Sequence, residues 1–122
     1  MKMLAALTFG LLTSVTAVHA AEMTKPVISV TEIDVKDEAA YKEALPAIQK
    51  RIAEHSGKYL AGGFNKTNTI KGAPPPNRVV IIEYDSQDAF NNWWKEAGDA
   101  DVKTLEKFAT FRIYTIEAVE KK

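Results

Sequence analysis

The chain has 122 residues, 16 Lys and Arg against 16 Asp and Glu, two histidines and no cysteine, the composition of one small domain without a charge bias. Lack of cysteine excludes a disulfide framework, a thiolate nucleophile, a Cys-ligated zinc and an iron–sulfur cluster. Balanced charge argues against a nucleic-acid or membrane-surface partner.

Residues 1–21 carry Lys2 as their only charge, run apolar from Met3 to Leu12, and end in Val18-His19-Ala20-Ala21. This is the pattern of a secretory signal peptide. The run is shorter than the roughly 20 apolar residues that span a bilayer, so residues 1–20 are expected to be cleaved after Ala20 rather than kept as an anchor. The expected mature domain, residues 21–122, is then periplasmic or secreted and not membrane-bound. Removing Lys2 from the 16 basic groups leaves 15 against 16 acidic ones, and His55 becomes the only histidine.

Val27 to Val35 is rich in β-branched residues and predicts a first strand. Asp37 reads as a helix N-cap, followed by Tyr41, Leu45, Ile48 and Ile52 on one helix face. Pro46 is expected to kink or divide that helix, and Gly57 to cap its end. Lys58 to Phe64 predicts a second strand, with Gly62-Gly63 marking a bulge or a close backbone approach. After the stiff Gly72 to Asn77 loop, Arg78 to Tyr84 predicts the clearest strand of the chain. Ser86 caps a second helix with Ala89, Phe90, Trp93 and Ala97 on one face. Gly98 to Asp101 reads as a break, Val102 to Phe108 as a short helical stretch, and Thr110 to Val119 as the last strand. The order βαββαβ predicts an α+β, ferredoxin-like fold with a four-stranded antiparallel sheet.

Val79 and Ile81 point to one side of the third strand and Val80 and Ile82 to the other, so the centre of the sheet is apolar on both faces. Two helices cover one face only. A second subunit laid on the other predicts a homodimer; the alternative is a monomer whose Asn65–Asn77 loop folds across the sheet.

His55-Ser56-Gly57-Lys58-Tyr59-Leu60, then Gly62-Gly63, Gly72, Arg78-Val79-Val80-Ile81-Ile82-Glu83, Ser86, Ala89 and Trp93 together resemble the domain-of-unknown-function family numbered 1330. Its exported branch is echoed in Glu106 to Arg112. The resemblance covers about residues 27–119 and implies a dimeric α/β barrel, related in architecture to small monooxygenases and other pocket-bearing dimers. It implies no established activity. The family's usual Ser-Pro-Glu-Tyr-Gln segment is replaced here near Glu96 to Asp101, and its late glycine is Ala118.

His55 is the only neutral-range base of the mature chain, yet its place near the helix end favours interaction with the helix C-terminus. Glu83 lies in an apolar strand next to the strand carrying Glu32, and two carboxylates facing one interior would perturb each other's protonation. The duller alternative pairs Glu83 with Arg112 or Lys58. Tyr41, Tyr59 and Trp94 are candidates to line an apolar cavity, and Arg78 and Arg112 to hold an anionic group of a small-molecule ligand. No metal or cofactor site is read, and Met23, the sole methionine after cleavage, is in the leader, away from His55. The third strand lacks the basic-Gly-aromatic signature of RNA-recognition domains. The expectation is an exported dimeric domain binding a small, partly apolar molecule. The rival is a cofactor-independent monooxygenase or isomerase using Glu83, Glu32, His55 or a tyrosine.

Overall fold

The computed structural model describes residues 25–119; the expected signal segment, its cleavage site and Met23 lie outside the described residues. The elements are β1 (Val27–Val35), α1 (Glu38–Glu54), β2 (Lys58–Phe64), β3 (Arg78–Tyr84), α2 (Gln87–Trp93), a π turn (Trp94–Gly98), α3 (Asp99–Leu105) and β4 (Ala109–Glu117). The four strands form one antiparallel sheet in the order β2-β3-β1-β4. This is the ferredoxin-like βαββαβ arrangement. Among the described residues, no helix is long and apolar enough to cross a membrane.

Both helix starts are capped as the sequence predicts. The Asp37 Oδ1 accepts from the Ala40 amide at 3.1 Å and the Ser86 Oγ from the Ala89 amide at 3.0 Å, each satisfying one of the amides a helix start leaves free. Pro46 does not divide α1, which runs through it. Its ring faces solvent, where water can take the carbonyl that lost its partner.

The end of α1 departs from expectation in a different way. His55 is the C-cap, Ser56 takes the left-handed conformation at φ 68°, and the Gly57 and Ser56 amides donate to the Ile52 and Ala53 carbonyls at 2.9 and 3.2 Å. That is a Schellman closure with serine at the position glycine usually holds. Gly57 is needed for space instead: a Cβ there would overlap Ile52 Cγ2 and lie 2.9 Å from the Ile52 carbonyl oxygen.

Gly98 is likewise not a break. The helical path continues through it, and a Cβ on Gly98 would meet the Trp93 ring at 2.8 Å. The π turn adds about one residue to the turn. At about 100° per residue, Trp93 and Leu105 would lie about 120° apart on an uninterrupted α-helix; the extra residue brings them within about 20°. Trp93 and Leu105 are accordingly both buried. β4 spans Ala109–Glu117, ending short of Val119.

The sheet has one covered and one open face. Arg78, Val80, Ile82 and Tyr84 of β3 are all buried and face the helices, with Val27, Ser29, Thr31 and Ile33 paired across from them on β1. Ile28, Val30, Val79, Ile81, Tyr114 and Ile116 share the opposite face. There Tyr114 is 38 % and Ile116 51 % exposed. The loop of residues 65–77 does not cover this face; it is exposed almost throughout, and Ile70 at its middle points to solvent. β2 carries a bulge between Tyr59 and Ala61, and Gly62 at φ 108° brings its backbone so close to Val79 that a Cβ would overlap the Val79 carbonyl.

Asn77 fastens the start of β3. Continuing the β1–β3 register places Val35 opposite Pro76, which has no N–H to offer. The Asn77 side chain substitutes, accepting from the Val35 amide and donating to the Val35 carbonyl, both at 2.8 Å. The Asn77 backbone carbonyl accepts from the Asn65 amide at 2.7 Å, so β1, β2 and β3 are tied together one residue before Arg78.

Candidate functional site

Between the covered face of the sheet and the helices lies a cavity of about 50 Å³. Its floor includes Ser29, Thr31, Val80 and Ile82; α1 contributes Tyr41, Leu45, Ile48 and Ile52; Trp93, Val102 and Leu105 close it from the other helical run. The α1 residues arrive there because their three- and four-residue spacing puts them on one helix stripe. Trp93 and Leu105 arrive together because of the π turn. At roughly 10–15 Å³ of such volume per water, the space holds about three to five waters, which is about the liquid volume of a single aromatic ring.

The polar atoms around it have one character. Arg78 Nε, Tyr84 Oη and Trp93 Nε1 are buried side-chain atoms without a hydrogen-bond partner among the described residues, and all three residues line the cavity. Each can donate, and the arginine and indole nitrogens can only donate. Leaving a buried polar group unsatisfied costs about 1–3 kcal/mol, so the lining calls for acceptor atoms.

Arg78 is the sharpest case. It is 7 % exposed, always charged, and no carboxylate of the described residues pairs with it. Its guanidinium instead lies 4.7 Å from the Phe64 ring centroid and 5.6 Å from that of Tyr41. Cation–π contacts contribute about 0.5–2 kcal/mol, against an effective cost of several kcal/mol for burying an ion. The acidic group lining the cavity, Asp101, is already engaged: the Arg51 fork donates to its two oxygens at 2.9 and 2.8 Å.

The tyrosines stay protonated. Burial pushes the Tyr41 phenol up, opposed in part by the charge and hydrogen bonding of Arg78. Burial also raises Tyr59, and it raises Tyr84 far beyond the usual phenol range. Tyr59, on the edge strand and 42 % exposed, stands at the mouth.

Of the residues singled out from sequence, Tyr41, Tyr59 and Arg78 thus meet at the cavity. Trp94 does not line it; it packs on Trp93 with ring centroids 5.9 Å apart. Arg112 lies on the open face, 3.9 Å from Glu32 and over the Tyr114 ring. Glu32 also accepts from the Tyr114 hydroxyl at 3.2 Å. Glu83 is on that same open face, opposite Ile28 and Lys58, while Glu32 sits opposite Val79. Four residues of strand separate the two carboxylates, about 13 Å at 3.3 Å per residue, so the proposed acid pair is not assembled within one chain. His55 is outside the cavity as well: Nδ1 reaches the Arg51 carbonyl at 2.8 Å and Nε2 the Glu96 carboxylate at 2.7 Å. Its pKa is raised, first by the Arg51 carbonyl and then by Glu96.

Ser29, Tyr84 and Asp101 were not singled out from the sequence. Ser29 and Tyr84 carry a signal after the fact, since both are polar tips in the core-facing phase of apolar strands. Asp101 carries none, because only the π turn rotates it inward. Among the described residues, no group of three His, Asp or Glu side chains is placed to hold a metal ion.

No curated protein sequence matches the chain. Among solved structures, it is similar to the RPA0582 protein of unknown function from Rhodopseudomonas palustris, at 14 % identity and TM-score 0.63 over 89 % of this chain and 94 % of that one. It is also similar to SnoaB, a cofactor-independent oxygenase from Streptomyces nogalater, at 15 % identity and TM-score 0.57 over 80 % and 96 %. An EthD-like protein from Ralstonia eutropha aligns at 16 % identity and TM-score 0.52 over 80 % and 96 %. At such identities the likeness establishes the fold, that of the dimeric α/β-barrel proteins. In sequence, the model described as domain of unknown function DUF1330 matches residues 26–119, and the chain belongs to that family.

Proposed function

We propose that this chain is an exported, homodimeric α/β-barrel domain that binds a small, partly apolar molecule in the cavity between sheet and helices. The observation that carries the reading is the buried Arg78 guanidinium at one end of the cavity lining, without a carboxylate partner, with two further unsatisfied donors, Tyr84 Oη and Trp93 Nε1, on residues that line the same cavity. Tyr41 and Tyr59 complete the lining, with Tyr59 at the entrance. Homodimer formation is supported by the apolar open face and by the fold's dimeric relatives; an isologous contact would cover Tyr114, Ile116, Ile81 and their neighbours with the same face of a second copy. The test is native mass spectrometry of the protein purified from its source. A dimer carrying a discrete small-molecule adduct is expected, whereas a ligand-free monomer would overturn the reading.

A second reading, a cofactor-independent enzyme, is favoured by the likeness to SnoaB. Of the groups expected from sequence to move its proton, Glu32, Glu83 and His55 lie outside the cavity of their own chain and only tyrosines lie inside it. The groups inside are protonated phenols, a guanidinium and an ion-paired carboxylate, which donate hydrogen bonds and stabilise negative charge but supply no free base. A reaction here would depend on a substrate acidic enough to lose its own proton. Oxygen uptake on adding the adduct molecule would support that reading, and its absence at saturating concentration would leave binding alone.

A further inference from the structure

We propose that the molecule taken by this cavity is an oxyanion on an apolar body, a carboxylate or enolate whose charge meets the Arg78 guanidinium while its ring or chain lies among Ile48, Ile82 and Leu105. The inference rests on the binding reading above and names the class of ligand. Its ground is a charge left over: Arg78 is more than nine-tenths buried, permanently cationic, and faces two aromatic rings rather than a carboxylate. The carboxylate among the lining residues, Asp101, is held by both arms of Arg51. The two other orphan atoms, Tyr84 Oη and Trp93 Nε1, are donors too. A cavity whose unsatisfied atoms are all donors, one of them charged, is complementary to a ligand that brings only acceptors and a negative charge. A neutral apolar ligand would leave the Arg78 charge unmet, and a cation would add like charge to it. The strand positions make the placement specific: Arg78 occupies the core-facing phase of β3, and the Asn77 clamp to Val35 holds that phase at the end of the sheet.

Three ring-sized probes of matched shape decide the point on the full chain: benzoate, benzamide and benzylammonium. Titrations are followed by the Trp93 indole N–H resonance and by the melting temperature. Benzoate is expected to bind saturably, at least tenfold more tightly than benzamide, with no binding of benzylammonium; Arg78→Met should abolish the tenfold preference. Equal binding of benzoate and benzamide would overturn the anion inference while leaving the cavity reading intact. Failure of every probe to bind would overturn both. If Arg78→Met does not fold, the three-probe comparison on the unsubstituted chain stands alone, and Arg78→Lys, which keeps the charge and loses the fork, should retain part of the benzoate preference.

Discussion

Arg78 and Arg112 lie on opposite faces of the same sheet and are handled in opposite ways. Arg112 is exposed, stacks over Tyr114 and stands near Glu32, which Tyr114 also reaches; water screens whatever these groups leave unpaired, and such surface pairs contribute little. Arg78 is buried beneath helices with aromatic rings and no acid beside it. An arginine that a sheet keeps dry without a partner marks a place where an anion arrives from outside, whereas an exposed one near a carboxylate at the end of an apolar strip marks the border of a surface. In the function we propose, the covered face is organised as a pocket and the open face as an interface.

The largest effect that would break this contrast is on the covered face. Trp93→Ala removes a ring that packs on Tyr84, Phe90 and Trp94, and a loss of about 3–5 kcal/mol is expected in chemical denaturation. On the open face, Ile81→Lys should leave the fold of each subunit nearly unchanged, because a lysine stem can lie along the sheet with its charge in water. It should nevertheless weaken dimerisation by at least about 2 kcal/mol through like charges meeting across the two-fold axis; light scattering across a dilution series reads this directly, and a dimer unaffected by Ile81→Lys would mean the open face is not the contact.

Two smaller effects sharpen the contrast by testing the end of α1, which belongs to neither face. The folded-state pKa of His55 is raised, so its stabilisation is complete below the ordinary histidine value of about 6.5 and is lost as the pH rises through the raised value. Because Glu96 is largely exposed, the loss should be no more than about 1 kcal/mol, seen as a melting temperature falling from pH 6 to pH 8 in the parent but not in His55→Gln. Smallest of all, Ser56→Gly relieves a left-handed serine, a gain below about 1 kcal/mol, reduced by loss of the 3.3 Å bond in which Ser56 Oγ accepts from the Asp85 amide.

Strand order, both N-caps and the two-faced sheet were legible from residue patterns, since alternation and capping are local rules acting over two to four residues. Gly62 was legible too, as a close backbone approach, whereas the part played by two other glycines was not. Gly57 does close α1, but with Ser56 in the left-handed position, and Gly98 is no stop at all; each is small so that a particular side chain, Ile52 or Trp93, can occupy the adjacent space. Pro46 looks like a divider, but whether a helix tolerates proline depends on the water beside it. Arg112 and Arg78 were indistinguishable as ligand candidates, although strand phase already assigns them to opposite faces once the sheet order is known.

The order of elements, the balance of charge and the need for a second cover over the sheet were properties of the linear chain, because each follows from composition or from short-range periodicity. Which side chains share a space was not. The register of β1 against β3 set Arg78 across from Ile33, and one extra residue in a helical turn brought Leu105 round to the side of Trp93. The fork of Arg51 engaged Asp101. Those contacts join residues far apart in the chain, and they alone leave one buried cation without a counter-charge.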